Sequence, residues 1–269
     1  MMISGISSAG RNELASVTGR GRRFVRVSDV ASALGIGPRT AAKKLARWSE
    51  EGWLRRVRRG LYIPVPVDAD DPKSWSEDAL IIASEVWFPC YFTGWTSANH
   101  WGLTEQVFRT TVLKTNCRVR ASTVRLLGHE YLLTHASEDA LEWGLKSLWH
   151  EERRLSLADP ARTVVDILDA PRLGGGIRNG SDILVAYLDD HDPDRLIEYG
   201  DRLGNRTVFK RLGYLLEAMH RPQVNLIEEC LKRVSIGFSL LDPDGPEGGP
   251  RVARWRLRAN VRITAEDPT

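Results

Sequence analysis

The side chains best suited to chemistry are cations, and they form two clusters near the N-terminus. The first comprises Arg39, Thr40, Lys43, Lys44 and Arg47. The second is the run Arg55-Arg56-Val57-Arg58-Arg59-Gly60. A guanidinium can donate two hydrogen bonds to O6 and N7 of guanine. Lysines on a helix that binds DNA more often contact phosphates. These residue types predict binding to double-stranded nucleic acid.

The charge of the chain is unevenly distributed. Its 269 residues carry a net charge of +3, yet residues 1–66 contain thirteen Lys and Arg against four Asp and Glu, a net +9, which leaves −6 for the remainder. A basic stretch of this kind attracts polyanions. Hydrophobic residues at 42% exclude a disordered or fibrous chain. Three widely spaced cysteines and the lack of a long apolar run predict a reducing, cytoplasmic setting, close to the nucleoid.

The helices and strands that position these cations can be predicted from residues 24–66. Residues 24–27 alternate as in a strand, and Ser28 is expected to cap a helix that ends at Gly35. A second helix is expected over 38–51, with Ala41, Leu45 and Trp48 facing inward. Residues 55–65 then predict a hairpin that turns at 58–60. Strand, helix, turn, helix and hairpin are the order of a winged helix-turn-helix.

This arrangement assigns a role to each cation. Arg39, Lys43 and Arg47 lie four residues apart and share one stripe of the second helix, which would enter the major groove. Arg58 and Arg59 are expected on the phosphates or in the minor groove. Two further cations, Arg22 and Arg26, are expected to contact the DNA backbone. The alternative interpretation is that these cations form a solvated basic helix face without a ligand. That interpretation would also have to explain the second cluster of cations in the hairpin.

The fold class predicted is α+β, with the winged helix-turn-helix at residues 1–67 and a larger mixed α/β domain at 77–269. The acidic, proline-bearing stretch 68–76 is interpreted as the linker. In the second domain, strands are expected at 111–114, 119–127, 131–134 and 251–263. Helices are expected at 77–87, 140–149, 160–168, 181–188, 194–203 and 206–220, and Asp159 is expected to cap the helix that starts at Pro160.

Several segments together resemble the AbiEi-type antitoxins, transcriptional regulators of type IV toxin–antitoxin and abortive-infection (phage defence) loci. They are Val30–Ile36, Leu45–Trp48, Gly52–Tyr62, Tyr91–Thr104, Asp159–Asp166, Asn205–Glu217 and Arg254–Val261. The resemblance spans most of residues 25–220 and extends to the late segment around Trp255. It implies a DNA-binding repressor that autoregulates its operon and binds paired half-sites as a dimer or as two monomers. It also implies an antitoxin that opposes a nucleotidyltransferase-like toxin.

The alternative function is a DNA-binding nuclease or restriction-type enzyme with a metal-dependent site in the C-terminal domain. The metal ligands of that site would come from four scattered carboxylates, Asp159, Asp166, Asp169 and Glu217. His150-Glu151-Glu152 lacks the second histidine of a zinc-protease helix, and the glycines at 174–176 lack phosphate-loop spacing. We therefore expect no catalytic residues, no metal and no cofactor, and no membrane partner.

One further basic group lies in the acidic C-terminal region. It comprises Arg202, Arg206, Lys210 and Arg211, spaced by roughly one helical turn. These residues predict a basic stripe that could meet the toxin or nucleic acid. The alternative is a salt-bridged helix face in which they pair with Glu198, Asp201 or Glu217.

Overall fold

The computed structural model describes residues 8–263 except 20, 67, 70, 72, 221 and 222. The chain is a mixture of helices and sheets, with a helix-turn-helix domain at the N-terminus and a larger α/β part after it. Its contacts define two units, Met1–Ile82 with Arg125–His129, and Ala83–Val124 with Glu130–Thr269. The domain boundaries at 67 and 77 stay a prediction. Among the described residues, no helix combines the length and apolarity that crossing a membrane would require.

The first unit contains the predicted succession of strand, helix, helix and hairpin. Its elements are α1 (Ser8–Thr18), β1 (Val25–Arg26), α2 (Val27–Leu34), α3 (Pro38–Glu50), β2 (Leu54–Arg58) and β3 (Leu61–Pro64). The three strands form one sheet in the order β1-β3-β2, with antiparallel pairing throughout. The strand β3 is therefore central, and the hairpin that it forms with β2 follows α3 directly.

Local chemistry sets the ends of α2 and α3. The expected cap at Ser28 is wrong, because α2 begins at Val27 and the Asp29 carboxylate accepts a hydrogen bond from the Arg26 N–H at 2.7 Å. Gly35 ends α2 in a left-handed conformation, as expected. Pro38 opens α3 and fits there because the first helical position needs no amide donor.

The core of the first unit is built on the inward side of α3. Ala41, Leu45 and Trp48 are buried there as predicted, and they pack with residues of α2 and of the small sheet. Burying each of the two large side chains contributes ~1.5–3 kcal/mol to folding. This apolar seam fixes the rotation of α3, so its opposite face is the one left to solvent.

The remaining elements begin at Ala79. They are α4 (Ala79–Val86), β4 (Cys90–Phe92), α5 (Gly94–His100), β5 (Thr110–Thr115), β6 (Thr123–Leu126), β7 (His129–His135), β8 (Leu145–His150), β9 (Arg153–Ala158), α6 (Pro160–Asp169), α7 (Ile177–Asp190), α8 (Asp194–Leu203), α9 (Thr207–Ala218), α10 (Val224–Lys232), β10 (Ser239–Leu240), β11 (Arg251–Val252) and β12 (Leu257–Arg258). Six strands form a mixed sheet in the order β6-β7-β5-β4-β9-β8. A second sheet has the order β10-β12-β11.

Helices α6 and α9 form the centre of the second unit's core. Every residue from Ala161 to Leu168 is buried, and so are the apolar positions of α9. The indole ring of Trp255 is fully buried against Gly213, where a Cβ atom would overlap the ring. Its Nε1 donates to Glu217 Oε2 at 2.6 Å, so the segment after residue 250 is anchored on α9.

Two expectations for this unit fail, and some of its elements were not expected. Residues 140–149 do not form a helix, because Leu145–His150 pairs antiparallel with β9 along its whole length. Neither β9 nor α10 was expected. The single strand expected over 251–263 is two short strands, β11 and β12, that pair with each other across a turn containing Trp255.

Candidate nucleic-acid interface

The outward face of α3 presents three of the five residues expected to read DNA. Arg39, Thr40 and Lys43 are exposed on the side away from Ala41 and Leu45. Among the described residues, neither Arg39 nor Lys43 has an ion-pair partner. Their hydrogen-bond donors are therefore available to an external acceptor without the loss of an internal contact.

The other two cations of α3 are already engaged. Lys44 is half-buried, forms an ion pair with Glu13 of α1, and lies 5.5 Å from the ring centroid of Trp48. Arg47 is exposed, but its Nε lies 2.7 Å from Glu51 Oε1. This hydrogen bond and the charge of Glu51 raise the pKa of Arg47. Both side chains would have to exchange an acid partner for a phosphate or a base.

The hairpin cluster divides by exposure. Arg56, Arg58 and Arg59 are exposed, whereas Arg55 is half-buried and donates a hydrogen bond to the carbonyl of Trp75. Burial lowers the pKa of Arg55. The register of β2 shifts between Arg56 and Arg58, which places Val57 in a bulge with its side chain in the protein interior. Gly60 has φ of 79°, which permits the tight turn beside Arg59.

Arg56 is an addition to the residues expected from the sequence. It is exposed, and it has no ion-pair partner within the described part of the chain. The burial of Leu54 and Val57 on either side of Arg55 and Arg56 could have indicated it, but only if the bulge had been anticipated. A strict alternation would have placed Arg56 on the side of Leu54.

The two cations that precede α2 lie near its start. Arg22 is exposed and its Nη1 lies 2.9 Å from Asp29 Oδ1, so it is bound to the same carboxylate that caps α2. Arg26 is the exposed residue that immediately precedes α2. Contacts of either residue with a DNA backbone stay a prediction.

The basic stripe predicted on α8 and α9 is contradicted by burial. Lys210 and Arg211 are only 1% and 3% exposed. Lys210 donates to the Gly237 carbonyl, and Arg211 donates to the carbonyls of Leu168, Asp169, Leu240 and Leu241. Burial lowers the pKa of Arg211 to about 10, so it is a cation at neutral pH. The reason is that the apolar residues of α9 are themselves buried, so the neighbouring Lys210 and Arg211 are taken into the core with them.

Arg202 and Arg206 do lie at the surface, and acidic neighbours surround them. Arg202 Nη2 is 3.9 Å from Asp139 Oδ1, and Arg206 Nη1 is 3.2 Å from Asp201 Oδ1. The ion pair of Arg206 with Asp201 is one of those expected if these cations belong to a salt-bridged helix face. The four cations therefore do not share an exposed stripe.

A buried ionic cluster in the second unit was not recognised from the sequence. Asp166 is fully buried, and its Oδ1 lies 2.9 Å from Lys114 Nζ and 3.1 Å from Arg162 Nε. Its Oδ2 accepts hydrogen bonds from Thr93 and Tyr91. Burial alone would raise the pKa of Asp166, but the two cations lower it below its usual value. The cluster is the polar centre of this core.

The carboxylates of the nuclease alternative are bound to cations and hydrogen-bond donors of the fold, and Asp169 shares Lys114 with Asp166. Asp159 caps α6 as predicted, accepting from the Arg162 N–H at 2.8 Å, and it also accepts from Tyr199. Asp166 is neutralised by two cations, and Glu217 binds Trp255 and Arg254. Within the residues that the structure describes, no group of three or more His, Cys, Asp or Glu could hold a metal ion.

The fold and the exposed cations define a class, the helix-turn-helix proteins whose second helix is free to meet a duplex. A family model described as "Transcriptional regulator, AbiEi antitoxin" matches residues 12–65, which confirms the resemblance over this part of the chain. No curated protein matches the chain. Among solved structures, the RV2827C protein from Mycobacterium tuberculosis has a similar fold. It is 16% identical, with a TM-score of 0.61 over 95% of this chain and 92% of that one.

Proposed function

We propose that this protein is a sequence-specific, double-stranded DNA-binding repressor that acts as the antitoxin of a type IV toxin–antitoxin system. Helix α3 enters the major groove of operator DNA, and the hairpin β2–β3 lies on the adjacent phosphates or in the minor groove as a wing. The protein represses its own operon and opposes a nucleotidyltransferase-like toxin. It works in the cytoplasm at the nucleoid, without a cofactor and without catalysis of its own.

One observation carries the DNA-binding proposal, namely the exposed cations on the outward face of α3 that have no ion-pair partner among the residues the structure describes. The buried seam of α3 turns Arg39 and Lys43 to solvent, and Thr40 lies beside them. These residues occupy the first two turns, the part of a recognition helix that reaches base edges. Arg39 can bind guanine with two hydrogen bonds, which discriminates against a wrong base by ~1–3 kcal/mol.

The hairpin supplies the sequence-independent part of this proposal. Arg56, Arg58 and Arg59 carry exposed guanidinium groups on a short, bulged ribbon. A narrow minor groove has a strongly negative potential that favours inserted arginine. Lys44, Arg47, Arg22 and Arg26 would add contacts where DNA phosphates replace their present surroundings.

The regulatory and antitoxin roles rest on the family match at residues 12–65. The direct contact with a toxin and the dimer on paired half-sites are proposed from that resemblance alone. The proposal nevertheless separates two activities, DNA binding by the first unit and toxin opposition by the second.

The decisive experiment titrates the protein against DNA from its own promoter by fluorescence anisotropy at several salt concentrations. Affinity should fall by ~0.9 log unit per log unit of salt for each phosphate neutralised. Replacing Arg58 and Arg59 by Ala should weaken binding to all duplexes, whereas Arg39→Ala should also reduce the preference for the promoter. Arg120→Ala is the matched control, since Arg120 is an exposed arginine of the second unit. Parental binding by both sets of variants would refute this interface.

The antitoxin role is tested in the full chain by co-expression with the neighbouring toxin gene. A variant with Arg39 and Lys43 both replaced by Ala should lose repression and still prevent toxicity. Toxicity at the level of an empty vector, with the variant present and folded, would leave only the DNA-binding part of the proposal. Plasmid nicking by the purified protein with Mg²⁺ or Mn²⁺ would restore the nuclease alternative.

A further inference from the structure

The small sheet near the C-terminus has one face that combines an aromatic ring with three arginines. Its register pairs Ser239 with Leu257, and Arg251 with Arg258. Because side chains alternate along a strand and paired residues share a face, Arg251 and Arg258 point to the face opposite Leu257. Arg256 lies in the turn before β12, and its guanidinium reaches the ring of Phe238. Leu257 is fully buried, so the face that carries the arginines is the solvent side.

Phe238 lies among these arginines. It immediately precedes β10, and its ring centroid is 5.4 Å from Arg251 Cζ and 5.8 Å from Arg256 Cζ. The ring is 40% exposed, although a phenylalanine is normally buried, and the neighbouring Ile236 is 88% exposed. Arg251 and Arg256 are exposed, and no acidic side chain within the described residues forms an ion pair with either. We name Phe238, Arg251, Arg256 and Arg258 the arginine–phenylalanine face.

Hydrogen bonds hold the segments that carry the arginine–phenylalanine face. The Ser239 N–H donates to the Arg256 carbonyl at 3.0 Å, which fixes the segment of Phe238 to the segment of Arg256. Lys210 and Arg211 hold the chain from Gly237 to Leu241 from within, by hydrogen bonds to its carbonyl oxygens. The cations expected to form an exposed stripe on α9 thus support the segment that exposes Phe238.

We propose that the arginine–phenylalanine face is a second nucleic-acid site, which binds single strands rather than duplexes. A base can stack on Phe238 or on a flanking guanidinium, while the other arginines bind the phosphates that follow it. A duplex offers the Phe238 ring no free base on which to stack, because its bases are already stacked and paired. An acidic protein would satisfy the arginines but would not explain a partly exposed ring between two of them. The site lies outside the proposed helix-turn-helix interface and does not depend on it.

The test uses the full chain with Arg39 and Lys43 replaced by Ala, so that binding by α3 is suppressed. Anisotropy is measured with labelled 12-nucleotide oligo(U) and oligo(dT), and with a duplex of the same length. The single strands should bind more tightly than the duplex. Phe238→Leu, which keeps an apolar side chain but removes the ring, should weaken single-strand binding by about tenfold, whereas Phe238→Tyr should retain it.

Two controls separate stacking from simple charge. Arg120→Ala removes an exposed arginine of the same unit outside the face and should leave binding unchanged, while Arg256→Ala should weaken it. Heparin or poly-glutamate should compete poorly at equal charge concentration. Equal competition by poly-glutamate would assign the face to an acidic protein partner and overturn the proposal. Parental binding by a folded Phe238→Leu variant, or tighter binding of the duplex, would also overturn it.

Discussion

Helices α3 and α9 both carry adjacent or near-adjacent cations, and the two helices place them in opposite environments. On α3, Arg39 and Lys43 face solvent, and no acidic residue in the described part of the chain pairs with them. On α9, Lys210 and Arg211 are buried and donate to backbone carbonyls. The difference lies in the apolar positions. Three residues form a single seam on α3, whereas Val208, Phe209, Leu212, Leu215 and Leu216 cover much more of α9.

The comparison shows that cation spacing alone does not define a binding surface. A basic residue is available to a ligand only if the apolar residues of its helix leave one side free. Where they do not, the cation is taken into the core and becomes a structural donor, which requires a compensating acceptor for each buried charge. The predictions below test this distinction between exposed and buried cations.

The largest effect is expected at Asp166, the acceptor for the buried cations Lys114 and Arg162. Asp166→Asn removes the counter-charge of Arg162 and leaves Lys114 with only the more distant Asp169, whose Oδ2 is 3.6 Å from Lys114 Nζ. It should lower the free energy of unfolding by ~3–5 kcal/mol at pH 7. Urea denaturation followed by tryptophan fluorescence measures this loss. Glu198→Gln, at an exposed position of α8, is the matched control and should be near neutral.

The same carboxylate predicts an acid dependence. Its pKa in the folded protein lies below the ordinary value, so its contribution to stability is complete above the unfolded pKa of ~3.9. That contribution is lost as the pH falls through the folded pKa. The parent should therefore lose more stability than Asp166→Asn between pH 5 and the acid limit of folding. Parallel curves for the two proteins would contradict this role of Asp166.

A smaller loss of stability is expected at Arg211. Arg211→Met removes the donor of four backbone carbonyls in the second unit. Unsatisfied buried acceptors should lower the free energy of unfolding by ~1–3 kcal/mol. Arg202→Met, at an exposed arginine of α8, should change it by less than ~0.5 kcal/mol. Equal effects of the two substitutions would show that burial does not distinguish these cations.

Within α3 the contrast is between unpaired and paired cations, and it is measured as operator affinity. Arg39→Ala should weaken binding by about tenfold or more, because a bidentate base contact is lost. Lys44→Ala should have a smaller effect, since Lys44 is half-buried and already bound to Glu13. Both variants need circular dichroism spectra like that of the parent. A larger effect at Lys44 would place the DNA on a different face of α3.

The smallest effect is expected from releasing Arg47. Glu51→Gln removes the charge that holds Arg47 at 2.7 Å, and should raise operator affinity by about threefold or less, as for other exposed ion pairs. Combining Glu51→Gln with Arg47→Ala should cancel the gain. A gain that persists in the double variant would mean that Glu51 acts on the DNA directly.

The first unit could be predicted from the sequence because its signals are local. Gly35, Pro38 and the spacing of Ala41, Leu45 and Trp48 determine helix ends and facing within a few residues. Residues 140–149 could not be predicted in this way. Their apolar residues have a helical period, but the segment forms a strand because it pairs with β9. That pairing cannot be read from the segment itself. The buried cluster at Asp166 was missed for the same reason, since Lys114 and Tyr91 are distant in sequence.

The packing of Trp255 on Gly213 affects when the two units can be completed during translation. The core around α9 is complete only after the ribosome has added Trp255, whereas the helix-turn-helix elements end at Pro64. At ~5–20 residues per second, the N-terminal elements emerge some tens of seconds before that core can be completed. A newly made chain therefore passes through a period in which its helix-turn-helix elements have been synthesised while the core of its second unit is still incomplete.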